Sequence, residues 1–188
     1  MSKRGVLFII SGPSGVGKDT IIKEVLSRTE DVKLSVSCTT RPPRVGELPG
    51  VDYNFVSKDY FEQLIAQDAL LEYAEYCTTY YGTPKEPVEQ MLQNGIGVIL
   101  KIERVGMEKV IRIYPDAVTI FIEPPSMEEL RRRIVRRNTD SPEAVQKRLK
   151  RAEEEISLSG DYKHHVISGE LETAIEEVCS LIRTYMQK

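Results

Sequence analysis

A glycine-rich stretch near the start of the chain, SGPSGVGKDT at residues 11–20, restricts the fold more than any other segment. It nearly fits the pattern G-x-x-x-x-G-K-[ST], in which backbone N–H groups of a loop surround a phosphate and the lysine contacts it. The apolar run VLFII precedes the stretch and the helical pattern TIIKEVL follows it. That strand–loop–helix context favours a phosphate loop over a glycine-rich turn with a chance lysine.

The predicted loop comprises nine residues: Gly12, Pro13, Ser14, Gly15, Val16, Gly17, Lys18, Asp19 and Thr20. Its glycines permit dihedral angles at which successive N–H groups converge on an anion. The helix that follows points its positive end at the same place. Lys18 adds a mobile cation that can follow a γ-phosphate. Asp19 stands where a hydroxyl residue would usually contact a magnesium ion, so the chain departs from the pattern there.

The composition is that of an ordinary globular domain, with 188 residues, 40% hydrophobic and 29% charged. A formal net charge of −3 argues against nucleic acid as the partner. Three scattered cysteines without a C-x-x-C pair are typical of a reducing compartment, and we expect a cytoplasmic protein. No run approaches the about 20 apolar residues that cross a bilayer, so no membrane partner is expected.

Short apolar runs alternate with helical patterns, which predicts an α/β fold with a parallel sheet. The predicted strands are residues 6–10, 97–102, 117–122 and 164–168. Ser126 and Ser141 stand at helix N-cap positions, and Gly95 at a C-terminal cap. In the last helix, 170–187, Leu171 is expected on the buried face together with Ile175, Val178, Leu181 and Ile182.

Two segments differ from this alternation. Residues 34–83 are rich in Thr, Pro and Gly, with a helical pattern at 58–67 and a strand-like LLEYAEY, and they predict a small mixed subdomain inserted into the core. Residues 131–141 form a charged excursion between two helices. The chain is therefore predicted to be one domain, with a core of 1–33, 84–130 and 152–188, an insertion of 34–83 and a lid of 131–151.

Several motifs in these segments resemble those of the guanylate kinases, in order and over nearly the whole chain. They are the GPSGVGK loop, S-x-T-T-R-x-P-R-x-G-E, D-Y-x-F-V-S, Y-Y-G-T and R-x-x-x-R-x-T-D-S. The resemblance implies a three-layer P-loop NTPase fold with a central parallel sheet, a GMP-binding insertion and a short helical lid. It also implies the reaction of ATP with GMP to give ADP and GDP, with Mg²⁺, and hence GMP and ATP as small-molecule partners.

The resemblance assigns seven residues to the acceptor site: Ser37, Glu72 and Thr83 at the base, and Arg41, Arg44, Tyr53 and Tyr81 at the monophosphate. A carboxylate at position 72 suits guanine, because its two oxygens can accept from the adjacent N1–H and N2–H₂ groups. Guanidinium forks suit phosphate oxygens. The alternative is that Glu72 belongs to a surface strand and that the tyrosines are packing residues.

The resemblance makes Arg133, Arg137 and Arg148 the lid arginines, which together with Lys18 neutralise charge on the transferring phosphoryl group. Arg133 and Arg137 are four apart and share a helix face. The alternative is a solvated basic face or an RNA-binding patch. No general base is required, because the attacking oxygen belongs to a phosphate that is already ionised near neutral pH.

Three departures from the family pattern leave other functions open. Lys101 stands where the family has an acidic residue, and Ser168 and Gly169 replace an Asn-Asp pair near the adenine. We hypothesise that Asp19 and Lys101 meet in a charge swap, with Asp19 helping to hold Mg²⁺. The sequence GKD[ST] also resembles ribose 1,5-bisphosphate kinases, so such a phosphotransferase is an alternative. A second alternative is a catalytically impaired guanylate-kinase-like module that only binds ligands.

Overall fold

The computed structural model describes residues 3–76, 78–136 and 141–187. Nine strands lie in this part of the chain: β1 (Leu7–Ser11), β2 (Val32–Leu34), β3 (Cys38–Thr39), β4 (Asn54–Phe55), β5 (Leu70–Tyr76), β6 (Thr79–Pro84), β7 (Gly97–Lys101), β8 (Val118–Glu123) and β9 (His164–Ile167). The same residues form seven α-helices: α1 (Lys18–Ser27), α2 (Lys58–Ala66), α3 (Lys85–Gln93), α4 (Arg104–Ile113), α5 (Met127–Arg136), α6 (Pro142–Ser157) and α7 (Leu171–Gln187).

A five-stranded parallel sheet in the order β2-β7-β1-β8-β9 forms the centre of the molecule. Successive side chains of β1 point to opposite faces, since Phe8 and Ile10 join one hydrophobic cluster and Leu7 and Ile9 the other. Helices α1 and α7 cover the first face, and α3 and α4 cover the second. The predicted three-layer α/β fold is therefore confirmed.

The order of the strands determines where a ligand can bind. Strand β1 lies between β7 and β8, and its carboxyl end leads into the glycine-rich loop. Ile10 pairs with Lys101 in the parallel register, so the end of β7 lies beside the start of that loop. In open α/β sheets, ligands bind outside the carboxyl ends of the strands. This edge therefore holds the candidate site.

A second, four-stranded sheet in the order β4-β3-β6-β5 lies in the segment predicted as an insertion, which β6 exceeds by one residue, Pro84. It mixes parallel pairing of β3 with β4 and antiparallel pairing of β6 with β3 and β5. Helix α2 packs on it through Phe61, whose ring stacks on that of Tyr80 with the two ring centroids 5.2 Å apart. The helix and the LLEYAEY strand occur where they were predicted. The division of the domain into core, insertion and lid stays a prediction.

The helix caps were predicted correctly, but one helix boundary was wrong. Ser126 and Ser141 accept from the backbone N–H groups of Glu129 and Ala144, as N-caps do. Residues 131–136, predicted to begin a charged excursion between two helices, instead continue α5, so Arg133 lies on a helix as its predicted helix face requires. The physical reason is that α5 buries Leu130 and Ile134, which are four residues apart, against α6.

The buried face of the last helix was predicted correctly except at its first residue. Ile175, Val178 and Ile182 of α7 are buried in the main cluster, and Leu181 packs against it. Leu171 is instead 47% exposed, because it is the first residue of α7 and lines an open pocket together with Ser168 and Gly169. Nowhere in residues 3–76, 78–136 and 141–187 does a helix combine the length and the apolarity needed to cross a membrane.

Substitution of Gly12 by alanine is expected to destabilise the protein by about 3 kcal/mol. Gly12 has a φ of 144°, and a Cβ atom there would lie 2.3 Å from the carbonyl oxygen of Ile122 in β8. Gly160→Ala is the matched control, since a Cβ atom at that position meets nothing within 4 Å. Denaturant unfolding followed by circular dichroism measures both. Equal free energies of unfolding for the two variants would contradict this interpretation of the loop.

Candidate active site

The glycine-rich loop between β1 and α1 has the conformation expected of an anion-binding loop. Gly17 is the N-cap of α1 and has a φ of 99°, a left-handed conformation that side chains resist. The helix begins at Lys18, directly after it, so the first N–H groups of α1 open toward the cleft described below. Val16 of the loop is buried in the core, where it joins the main hydrophobic cluster.

Lys18 lies partly buried against its own loop. Its ammonium donates to the carbonyl oxygens of Gly12 and Pro13, the latter at 3.2 Å. Burial lowers the pKa of Lys18, and this effect outweighs the opposing influence of nearby carboxylates, of which Glu155 acts most strongly. The loop carbonyl oxygens therefore hold the ammonium in place before a phosphate binds to the loop.

A cleft of about 580 Å³ separates this loop from the second sheet. It brings together most of the predicted site residues, which are Gly12, Pro13, Ser14, Gly15, Gly17, Lys18, Asp19, Thr20, Ser37, Arg44, Tyr53, Glu72, Tyr81 and Arg148. Residues from the loop, from the second sheet and from α6 thus face one space. The residues predicted for the donor and for the acceptor are neighbours in the fold, although they are far apart in the sequence.

Glu72 of β5 is the buried carboxylate of this cleft, with 8% of its surface exposed. Its Oε1 atom accepts from the Thr83 hydroxyl at 2.7 Å, so Thr83 holds Glu72 in place from behind and does not line the cleft itself. Burial raises the pKa of Glu72 above its ordinary value of 4.5, although Thr83 and Lys109 oppose the shift. Gly106 makes room for the carboxylate, because a Cβ atom there would lie 2.8 Å from Oε2.

The two arginines of the RPPR segment are placed differently. Arg41 forms a two-pronged salt bridge with Glu47, with both N···O distances at 2.6 Å. Its guanidinium also lies 5.1 Å from the ring centroid of Tyr53. Arg44 lines the cleft, and its backbone N–H donates to Glu47 at 2.8 Å. Glu47, which the sequence reasoning missed, therefore organises both arginines.

The lid arginines contact the phosphate loop from α5 and α6. Arg148 donates to the Ser14 hydroxyl at 2.7 Å and lines the main cleft. Arg133 instead donates to Ser168, at 2.8 Å to its carbonyl oxygen, and to the carbonyl oxygen of Val16 at 3.3 Å. It lines a separate pocket, together with Ser168 and Gly169. Arg137 lies outside the described residues.

The predicted contact between Asp19 and Lys101, two residues that depart from the family pattern, is confirmed. The Lys101 ammonium, at the end of β7, lies 2.7 Å from Oδ1 of Asp19 in the first turn of α1. The pairing follows from the strand register, which places the end of β7 beside the phosphate loop. Whether the two residues are coupled in function stays a hypothesis.

Three further residues of the cleft escaped the sequence reasoning. Glu103 follows β7, and its carboxylate accepts from Arg151 of α6 at 2.8 Å. Arg151 also donates to Glu155 at 2.8 Å, so one guanidinium joins α6 to the end of the sheet. The rule that functional residues follow the carboxyl ends of parallel strands could have found Glu103.

The donor atoms in the cleft fit a metal that arrives with a nucleotide. No group of three or more His, Cys, Asp or Glu side chains that could hold a metal occurs among residues 3–76, 78–136 and 141–187. Mg²⁺ is usually bound by one or two carboxylates together with substrate phosphates. The Asp19 carboxylate, exposed at the phosphate loop, is a hard oxygen donor of this kind.

Comparison with solved structures agrees with this fold. The crystal structure of guanylate kinase from Anaplasma phagocytophilum matches with a TM-score of 0.81 at 33% sequence identity. The match covers 100% of this chain and 89% of the other.

Sequence comparisons point the same way. The chain is 48% identical over 181 residues to a guanylate kinase of Clostridium perfringens, covering 96% of this chain and 84% of that protein. It is also 48% identical over 185 residues to a guanylate kinase of Streptococcus mutans, with 98% and 88% of the two proteins covered. The family model described as guanylate kinase matches residues 4–185. This match confirms the resemblance that the motifs carry, and the chain belongs to the guanylate kinase family.

Proposed function

We propose that this protein transfers the γ-phosphoryl group of ATP to GMP, giving ADP and GDP. The single observation that carries the proposal is the shared cleft, in which Lys18 of a phosphate loop faces the buried carboxylate of Glu72. The first is suited to the phosphates of a donor and the second to the base of an acceptor. Membership of the guanylate kinase family supports the same reaction.

Glu72 reads the guanine base in this proposal. Guanine presents adjacent N1–H and N2–H₂ donors, which two carboxylate oxygens accept together, whereas adenine has no such pair. Thr83 supports this role because its hydroxyl fixes Oε1 of Glu72. Ser37, which lines the same cleft, adds a hydroxyl beside the base.

The acceptor monophosphate is bound by Arg44, Tyr53 and Tyr81, which line the cleft. We propose that Arg41 also contacts this phosphate. Its salt bridge to Glu47 and its position beside the Tyr53 ring keep the guanidinium oriented. Guanidinium and phenol donors in fixed positions suit the oxygens of a phosphate that carries negative charge.

Phosphoryl transfer rests on positioning and charge stabilisation rather than on a protein base. Lys18 stays with the migrating phosphoryl group, and Arg148 approaches it from α6 beside Ser14. Arg133 and Arg137 are assigned to the same task. We propose that the lid, residues 131–151, and the insertion, residues 34–83, close on the core to exclude water.

Asp19 is proposed to help hold Mg²⁺ that is bound to the ATP phosphates. A metal held there would neutralise charge on the donor phosphates. We also propose a cytoplasmic location, because the described cysteines Cys38 and Cys179 are both free and buried, as in a reducing compartment.

The proposal is tested by a coupled assay of ADP formation with ATP and Mg²⁺, offering GMP, AMP, UMP and ribose 1,5-bisphosphate in parallel. We expect turnover with GMP alone. Turnover with the sugar phosphate would overturn the guanine assignment and favour a ribose 1,5-bisphosphate kinase. Calorimetric binding of GMP without turnover would favour a module that only binds. Salt-dependent RNA binding without turnover would favour the basic face of the lid.

A further inference from the structure

The lysine at the end of β7 lies where the two sides of the cleft meet, and it has no part in the function proposed above. Lys101 lies beside the end of β1, where the phosphate loop begins. Its ammonium reaches the Asp19 carboxylate at 2.7 Å. Both side chains line the cleft that also holds Arg44 and Tyr53 of the acceptor side. Lys101 is thus a cation that contacts the donor loop and shares its cleft with the proposed binding site of the monophosphate.

The ion pair between Lys101 and Asp19 can exchange. The Asp19 side chain is 79% exposed and that of Lys101 is 35% exposed. Ion pairs this open to water contribute little to stability, so they can be broken at small cost. Lysine also carries its charge on a flexible four-carbon stem, which lets the ammonium change partners while the backbone stays in place.

The Lys101 ammonium is near the acceptor side of the cleft as well as the donor loop. Its side chain is 35% exposed, so the amine keeps its ordinary charge at neutral pH. Tyr53 lines the same cleft, and Asp52 is fixed in the turn before it, where it accepts from the backbone N–H of Leu48 at 2.7 Å. The charged Lys101 therefore shares the cleft with the segment proposed to hold the monophosphate.

We propose that Lys101 is a phosphate-binding residue for the acceptor, whose ammonium leaves Asp19 for the GMP monophosphate when the Asp19 carboxylate takes up Mg²⁺. This assignment rests on the proposed function, because it requires a monophosphate in the cleft. Two cations at one carboxylate repel each other, so the metal and Lys101 compete for Asp19. Metal uptake on the donor side is thereby coupled to binding of the acceptor, and the coupling is reciprocal.

Calorimetric titration of GMP tests this without turnover. The protein is saturated with the β,γ-imido analogue of ATP, once with Mg²⁺ and once with EDTA. In wild type, Mg²⁺ is expected to tighten GMP binding, and Lys101→Met is expected to reduce that gain about tenfold, the effect of one charge-assisted hydrogen bond. Asp19→Ser, which releases Lys101 permanently, is expected to bind GMP in EDTA about tenfold more tightly than wild type does.

Guanosine is the matched ligand, because it keeps the base and lacks the phosphate; its affinity is expected to be equal in wild type and Lys101→Met. Lys33→Met, on the exposed side of the edge strand β2, is the matched variant and is expected to bind GMP as wild type does. If wild type binds GMP but Lys101→Met shows the same gain with Mg²⁺, the Lys101 assignment is wrong and the proposed function stands. If wild type binds neither GMP nor guanosine, the proposed function fails, and the assignment fails with it.

Discussion

Replacement of Lys18 by methionine is expected to lower kcat/KM for GMP phosphorylation by about a thousandfold, as loss of a preorganised charge-stabilising group does. The Lys18 ammonium is held by the carbonyl oxygens of Gly12 and Pro13, so it is already in position when a phosphate enters the loop. A methionine keeps the apolar part of the side chain and removes only the charge. The coupled assay with GMP and MgATP measures the effect.

The fold of Lys18→Met is expected to survive, because burial already disfavours the charged form of Lys18, as its lowered pKa indicates. Thermal unfolding should therefore give a Tm close to that of wild type. Lys23→Met is the matched control on the same helix, where the side chain is exposed, and it should retain full activity. A Lys18→Met protein that folds and keeps more than a tenth of the activity would contradict the role given to this lysine.

Much of the fold follows from local sequence patterns. The buried strand before the glycine-rich loop and the N-caps at Ser126 and Ser141 were all read from neighbouring residues. The meeting of Asp19 with Lys101 could also be predicted, although 82 positions separate them in the chain. In a parallel sheet with β1 at its centre, the carboxyl ends of adjacent strands lie side by side, so topology alone brings these two residues together.

Which residue pairs with a given charged side chain could not be predicted from local sequence patterns. Arg41 was expected to face the monophosphate directly, but no local pattern indicates that Glu47 forms a two-pronged salt bridge with it. The run of arginines led residues 131–136 to be assigned to a charged excursion, although burial of Leu130 and Ile134 against α6 keeps them in α5. Such pairings depend on packing across elements, which a single sequence does not display.

Replacement of Glu72 by glutamine is expected to lower kcat/KM for GMP by about a thousandfold. A buried site that hydrogen-bonds a polar edge of its ligand binds the transition state much more weakly when one of its hydrogen-bonding groups is left unpaired. The amide turns one acceptor into a donor that faces the N–H donors of guanine. The Thr83 hydroxyl can still donate to the remaining oxygen, as it does to Oε1 of Glu72 at 2.7 Å. Coupled assays with GMP and AMP in parallel measure how far the preference for guanine falls.

The free energy of unfolding of Glu72→Gln shows whether a loss of activity reflects lost guanine recognition or misfolding. Because burial raises the pKa of Glu72 in the folded protein, its ionised form at neutral pH lowers the free energy of unfolding. Glu72→Gln removes that charge, so at pH 7 the variant should be as stable as wild type or more so, and the difference should shrink as the pH falls through the raised pKa. Glu75→Gln, on the exposed part of β5, should change neither stability nor kcat/KM. If Glu72→Gln phosphorylated GMP at the wild-type rate, another residue of the cleft would have to recognise the guanine edge, and Glu103, which follows β7 and lines the same cleft, would be the next residue to replace.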